Sequence, residues 1–306
     1  MDNINWFDKR YYSLNAYFKN RYGKRINKIA VDAGLSCPNR DGTIDNRGCI
    51  FCSTGGSGDF AVTLSCALDI CDNAQDEKYV IYFQAFTNTY GDTDYLCDIY
   101  TKALSHKNVA GISIGTRPDC LGTDVLNLLQ KLNSTFVAQD KFIWIELGLQ
   151  TIHESTAVYI RRGYPLSIYD KAISSLNSIN IPYITHVILG LPNESHEMML
   201  DTVRYVCKDS NLFGIKLQLL HVLKGTDLAD DYMNGKFQTL ELSEYLNIVT
   251  KCLQYIPKNV VIHRVTGDGP KNILIAPKWS GNKKNVLNSL GRLMKEENIQ
   301  QGDCVC

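Results

Sequence analysis

Seven runs along the chain are almost continuously apolar: KIAVDAG (28–34), YVIYFQAFT (79–87), VAGISIGT (109–116), FIWIELGLQ (142–150), IPYITHVILG (181–190), FGIKLQLLHVL (213–223) and NVVIHRVTG (259–267). Between them, apolar residues recur at helical spacing over 93–104, 122–133, 154–161, 167–178, 194–208 and 241–255. Unbroken apolar runs, rather than strict alternation, mark strands covered on both faces, as in parallel sheets. Strand and helix alternating over six or seven units predict βα crossovers and an α/β fold. The expected architecture is a partial (β/α)6-type parallel barrel over 28–267, with an N-terminal extension at 1–27 and a C-terminal extension at 268–306.

Such folds bind ligands at the C-terminal ends of their strands, and polar residues stand there. Cys37 follows the first run. Gln84, Thr87 and Asn88 end the second, and Thr116 and Arg117 follow the third. Glu146 and Gln150 lie on the fourth, His186 on the fifth before a Gly-Leu-Pro turn, and Gln218 and His221 on the sixth. Singly, each reads as a strand end or a satisfied turn. Jointly they point at one mouth.

The 306 residues are 44% hydrophobic, enough for a large core, and the formal net charge is zero, so only local patches could favour nucleic acid. No apolar run nears the ~18 residues of a membrane span. MDNINWFDKR at the start lacks a signal-peptide core, and a cytoplasmic location is expected. Among eleven cysteines, three stand in SCPNRDGTIDNRGCIFCSTGG, spaced C-x11-C-x2-C at Cys37, Cys49 and Cys52. Spacing alone suits three irons of a four-iron cluster, a zinc with a distant fourth ligand, or free thiols. A three-thiolate cluster keeps one iron open, which is how a metal site does chemistry rather than staple a fold. STGGSGDF (53–60) then reads as backbone approaching a ligand or as a flexible connection into a helix.

The first 28 residues interleave Lys9, Arg10, Lys19, Arg21, Lys24, Arg25 and Lys28 with Trp6, Phe7, Tyr11, Tyr12, Tyr17, Phe18 and Tyr22, against Asp2 and Asp8. Cations on phosphates and rings under bases hold single-stranded RNA. An amphipathic helix closing the barrel explains the same pattern. Lys278, Lys283 and Lys284 near Trp279 form a weaker patch, and Cys304 and Cys306 read as a loose tail rather than a second metal site. Cys66, Cys71, Cys97, Cys120, Cys207 and Cys252 read as small apolar fillers.

Three cysteines after the first barrel strand, with Phe51 before the third, resemble the cluster loop of radical S-adenosylmethionine enzymes. The long first spacing departs from the usual C-x3-C-x2-C and is similar to the branch containing the elongator catalytic subunit. DAGLSCPNRDGTIDNRGCIFCSTGGSGDF, FQAFTNTYG, SIGTRPDCL, ELGLQT, RRGY, GLPNE, LLHVLKGT, HRVTGDGP and LIAPKWS resemble, in order, a small bacterial family of that branch. That family acts on the side chain of the tRNA wobble uridine, and the likeness covers nearly the whole chain without an acetyltransferase segment.

The resemblance implies a [4Fe–4S] cluster on Cys37, Cys49 and Cys52, S-adenosylmethionine cleaved to a 5′-deoxyadenosyl radical, an electron donor such as flavodoxin or ferredoxin, and tRNA as substrate. The implied reaction converts 5-carboxymethylaminomethyl-uridine to 5-aminomethyl-uridine. Thr87 and Asn88 match the contact to the methionine amino group, made here by backbone carbonyls because the relatives' glycines are replaced. Gln150 matches a ribose contact and Arg162 an arginine near the carboxylate. Gln84, Arg117, Glu146 and His186 complete the implied cofactor set. His186 stands where relatives carry an acid. Gly115 stands where relatives carry a strand-three acid, so Glu146 either compensates or pairs with Arg117. The residue that acts on substrate stays unassigned. Two rival readings remain: a radical enzyme acting on a small molecule or peptide, and a non-catalytic, zinc-stapled RNA-binding protein.

Overall fold

The structure is a computed structural model, and it describes residues 4–73, 77–267 and 269–305; Asp2 and Cys306 lie outside them. In chain order the first elements are α1 (Leu14–Tyr22), β1 (Asn27–Asp32), β2 (Val62–Thr63), α2 (Leu64–Asp72), β3 (Tyr79–Phe83), α3 (Thr93–Ser105), β4 (Val109–Thr116), α4 (Thr123–Phe136), β5 (Phe142–Gln150) and α5 (Glu154–Tyr159). There follow α6 (Leu166–Ser178), β6 (Tyr183–Leu189), α7 (His196–Val206), β7 (Gly214–Leu219), β8 (Val222–Leu223), α8 (Asp227–Met233), α9 (Leu242–Tyr255), β9 (Val261–Arg264), β10 (Leu274–Ala276) and α10 (Lys283–Glu296). They form two compact units. One comprises Ile26–Leu149 and Gly163–Ile184, the other Met1–Arg25, Gln150–Arg162 and Thr185–Cys306.

In the first unit the strands run β2-β1-β3-β4-β5, all parallel. β3 and β4 are buried along their whole length, which is why their sequences are apolar without alternation. The register sets Val31 beside Phe83 and Gly115 beside Glu146. Side-chain oxygens close the helix starts: Thr63 accepts from the Cys66 N–H at the start of α2, and Asp92 from Asp94 and Tyr95 at the start of α3.

In the second unit the strand order is β6-β7-β9, with β7 and β9 parallel, and β8 pairs antiparallel with β10. α1 is docked on β9. The Ile262 N–H donates to the Tyr12 carbonyl at 2.8 Å, and Tyr12, Ala16 and Val261 form a core cluster with Trp6, Tyr17 and Phe213 against it. Tyr11, Tyr12 and Phe18 are buried, so these rings of the N-terminal extension serve packing, and Phe7 alone of its seven aromatics is exposed.

Each apolar run contains a strand, and the six helical patterns are α3 to α7 and α9. The differences have local causes. The second run stops at Phe83 because Phe86 adopts a left-handed φ of 61° and turns the chain. His221 lies beyond the end of β7 rather than on it. β8 lies inside the sixth run, beyond the break after β7, and β10, α8 and α10 were not legible as periodic runs. The C-terminal tail is not loose: Gln301 is fully buried and donates to Pro257 and Val260 carbonyls, and the Cys304 N–H donates to Gln254 at 2.9 Å. Cys71 and Cys252 are buried fillers, whereas Cys66 is exposed on α2.

Candidate active site at the cysteine loop

The long spacing between Cys37 and Cys49 folds back on itself. Arg40 N–H donates to Cys37 at 2.8 Å, Ile44 N–H to Pro38 at 2.8 Å, Gly48 N–H to Asn39 at 2.6 Å, and Cys52 N–H to Cys49 at 3.0 Å. Arg40 staples the loop end by donating to the Cys52 and Ser53 carbonyls at 3.1 and 2.6 Å. A compact, hydrogen-bonded loop can thus present Cys37 together with Cys49 and Cys52 although eleven residues intervene.

The loop is bonded to the β3–α3 turn at three points. Thr87 N–H donates to Ser36, Phe86 N–H to Gly56, and the Gln84 side chain to the Ser57 carbonyl at 2.6 Å. Close packing here explains the glycines of STGGSGDF better than ligand approach or flexibility does. A Cβ on Gly56 would stand 2.5 Å from the Phe86 ring, and one on Gly58 would stand 2.4 Å from the Ala85 Cβ.

The electrostatics favour thiolate at Cys49. A hydrogen bond from Cys52 lowers the Cys49 thiol to about 6 against the cost of burial, and Arg117, Asn39 and Arg40 add to the lowering. The same bond, with burial, pushes Cys52 up. Asn39 donates to the Cys49 sulfur at 3.5 Å. Arg117 is buried, forks onto Asp119 at 2.9 and 2.7 Å and lies over the Tyr164 ring at 5.2 Å. Beside the loop opens a cleft of about 450 Å³ lined by Pro38, Thr43, Tyr90, Asp119 and Cys120. Among the described residues no group of three His, Cys, Asp or Glu is arranged for a single metal ion. A multi-iron cluster is larger than an ion, and its thiolates need not converge on one point.

Asn88 is fully buried. Its side-chain amide donates to the carbonyls of Ala85 and Gly115, both at 3.0 Å, which fixes the amide and leaves Oδ1 without a donor. The carbonyls expected to do the binding are already engaged: Tyr100 donates to the Asn88 carbonyl, and the Tyr90 N–H donates to that of Thr87 at 3.1 Å. Each carbonyl keeps a second lone pair, and the Asn88 side-chain Oδ1 is the acceptor that has no donor at all.

The second unit carries the other expected residues. Gln150 ends β5 with a left-handed φ of 67°, and its Oε1 is buried without a donor. A strained residue with an orphaned acceptor is a common sign of a binding site. Arg162 is buried and braces the turn after Gln150, donating to the Thr151 carbonyl at 2.6 Å and pairing with Glu154 at 3.2 Å. Glu194, from GLPNE, accepts from the Thr151 hydroxyl, and burial raises its carboxyl. His186 faces the Gln218 side chain at 3.4 Å.

Glu146 does not pair with Arg117. Its carboxylate is buried 2.6 Å from Lys28 Nζ and 2.6 Å from the Ser113 hydroxyl, with Lys28 over the Tyr82 ring at 4.2 Å. Lys28 thus leaves the surface patch to which its sequence position assigned it. The signal was partial: Ser113 and Glu146 each interrupt an apolar run, and Lys28 opens another. Tyr100 and Tyr164 carried no signal of their contacts.

The radical SAM superfamily model matches residues 46–206, and that of the Radical_SAM C-terminal domain matches 213–296. The chain belongs to the radical SAM superfamily. Cys49 and Cys52 fall inside the first match and Cys37 just before it. The chain is 40% identical over 304 residues to uncharacterized protein YtqA of Bacillus subtilis, covering 96% of this chain and 92% of that one. It is 26% identical over 191 residues to the tRNA uridine(34) acetyltransferase of Methanocaldococcus jannaschii, covering 62% of this chain but only 33% of that protein. Elp3 of Methanocaldococcus infernus shares the fold, with a TM-score of 0.67 at 16% identity over 90% of this chain and 64% of that one. The fold is thus the mostly parallel α/β partial barrel of radical SAM proteins, and the chain is an iron–sulfur enzyme that uses a [4Fe–4S] cluster and S-adenosylmethionine. No helix of the described residues is long and apolar enough to cross a membrane.

Proposed function

We propose that this radical SAM enzyme modifies the wobble uridine of tRNA, converting a 5-carboxymethylaminomethyl side chain to 5-aminomethyl. The observation that carries the substrate is the similarity, over 191 residues, to a protein acting on tRNA uridine 34. Cys37, Cys49 and Cys52 hold three irons, and the polarised loop with Arg40 and Arg117 beside it suits a bound anionic cluster. Asn88 Oδ1 accepts from the amino group of S-adenosylmethionine, and Gln150 Oε1 accepts from a ribose hydroxyl. When bound, the cluster and S-adenosylmethionine supply one-electron cleavage and a hydrogen-abstracting carbon radical. The chain's own residues orient the cofactor and keep water out.

Nucleoside mass spectrometry of tRNA from a deletion strain tests this reading. The 5-carboxymethylaminomethyl form should accumulate at the expense of the 5-aminomethyl form, and a Cys49→Ala copy should not restore it. An unchanged nucleoside profile sinks the substrate assignment. The cofactor contacts are tested separately by calorimetry on the cluster-loaded protein. Asn88→Ala and Gln150→Ala should each weaken S-adenosylmethionine binding about ten- to a hundredfold, the value of a hydrogen bond that satisfies a buried or charged partner. Arg162→Ala should weaken it less, because the arginine acts through the turn it braces. Equal affinity in all three variants contradicts these assignments.

A further inference from the structure

The chain is neutral as a whole but not along its length. Residues 9–25 hold six Lys and Arg and no acid, and residues 269–295 hold six more and no acid; the rest sets 20 cations against all 32 acids. Arg10 is half-buried and the other eleven cations of these two segments are exposed. Both segments belong to the same compact unit. The chain just beyond α10 returns to the N-terminal segment: Arg10 donates to Asn298 at 3.0 Å, the Gln301 N–H donates to the Arg10 carbonyl at 3.0 Å, and the Tyr12 N–H donates to Gln301 at 2.8 Å.

α10 organises the C-terminal cations. Val286, Leu290 and Met294 are buried on one side, and Lys284, Arg292 and Lys295 fall on the opposite face by helical period. The helix dipole explains Lys295 in the last turn but opposes Lys283 and Lys284, which stand in the first turn with no acid there. Lys284, placed against the dipole on a segment free of acids, points to an external polyanion. α1 likewise has no acid in its first turn, and Lys24 and Arg25 follow its Gly23 cap. No large hydrophobic residue is exposed within residues 9–25 or 269–295 among the described residues, so the surface lacks the apolar face that a membrane would take. At the N-terminal edge Lys19 lies 4.9 Å over the exposed Phe7 ring, a surface on which a base can stack.

We infer that α1 and α10 form one composite surface for the phosphate backbone of RNA, with α10 an equal partner in it. The inference rests on the tRNA reading above and adds the face that receives the substrate. α10 extends roughly 21 Å at the helical rise, enough to follow several phosphates.

The test uses the cluster-loaded full chain and an unmodified tRNA transcript, with affinity measured across a salt series. The α10 variant carries Lys283→Gln, Lys284→Gln, Arg292→Gln and Lys295→Gln; the α1 variant carries Lys19→Gln, Arg21→Gln, Lys24→Gln and Arg25→Gln. Each phosphate contact contributes about 0.7–0.9 to the slope of log affinity against log salt, so each four-residue variant should flatten the slope by about 3. Affinity at low salt should drop at least about tenfold, and the two sets should add when combined. Iron content and far-ultraviolet dichroism should match the parent, since the changed side chains are exposed. A parental slope and affinity in the α10 variant overturns the inference, even where the deletion strain shows the expected nucleoside change. Loss of reduction by flavodoxin in that variant with tRNA binding intact also overturns it and gives the face to an acidic protein. Conversely, an unchanged nucleoside profile with an α10-dependent slope removes the wobble-uridine assignment and leaves the RNA surface standing.

Discussion

Cys49→Ala should strip the anaerobically reconstituted protein of most of its iron and abolish cleavage of S-adenosylmethionine, and Cys37→Ala and Cys52→Ala should do the same. Iron and sulfide assays, the brown absorbance of the cluster, and release of 5′-deoxyadenosine read the outcome. A thiolate ligand leaves no substitute when removed. Serine and asparagine neighbours such as Ser57 and Asn39 bond to the sulfurs but are poor ligands for iron. Cys120, in the turn after β4, is the thiol best placed to compensate. Its thiol is pushed up to about 12, mainly by burial and then by Asp119, so it resists becoming a thiolate. Cys120→Ala should therefore leave iron content intact, as should Cys304→Ala, whose side chain is exposed on the tail. Full iron and full cleavage after loss of Cys49 would falsify the ligand assignment.

The strands and helices that position the site were legible because each obeys one period. VAGISIGT and FIWIELGLQ lie under cover on both faces, and burial dictates their apolar residues. α10 is illegible in the sequence for the opposite reason. KKNVLNSLGRLMKE buries a narrow stripe of three residues under a broad polar face, and its cations read as a surface patch without a helix to carry them. The cysteines were legible as a set, since their spacing and loop composition are local. The partner of each polar strand residue was not, because pairing depends on register between strands far apart in sequence. Glu146 sits beside Gly115 in register, yet its cation comes from β1, more than a hundred residues earlier. Asn88 was found by position, but which of its atoms is free follows only from the contacts of Ala85, Gly115 and Tyr100.

Lys28→Met should cost about 3–5 kcal/mol of stability, read as a lower urea midpoint with an unchanged slope, because it strands a buried carboxylate. The Glu146 side chain is fully buried, whereas that of Lys28 keeps 19% exposure. This asymmetry sets the sign of a second comparison. Glu146→Gln removes the charge that most needs a partner and leaves an ammonium that can lean toward water, so it should destabilise less than Lys28→Met. The pair also separates two roles for Glu146. If it supports only the sheet, Glu146→Gln should bind S-adenosylmethionine with parental affinity once folded and loaded with its cluster. If it compensates for the acid missing at Gly115, the affinity should drop about tenfold or more, as for loss of a hydrogen bond to a charged group. The geometry favours support. Ser113 and Lys28 both engage the same oxygen of Glu146, and Lys28 stands near the start of β1, at the opposite end of the strand from the one that leads into Cys37. A Lys28→Met protein as stable as the parent would show that the carboxylate is held by other means.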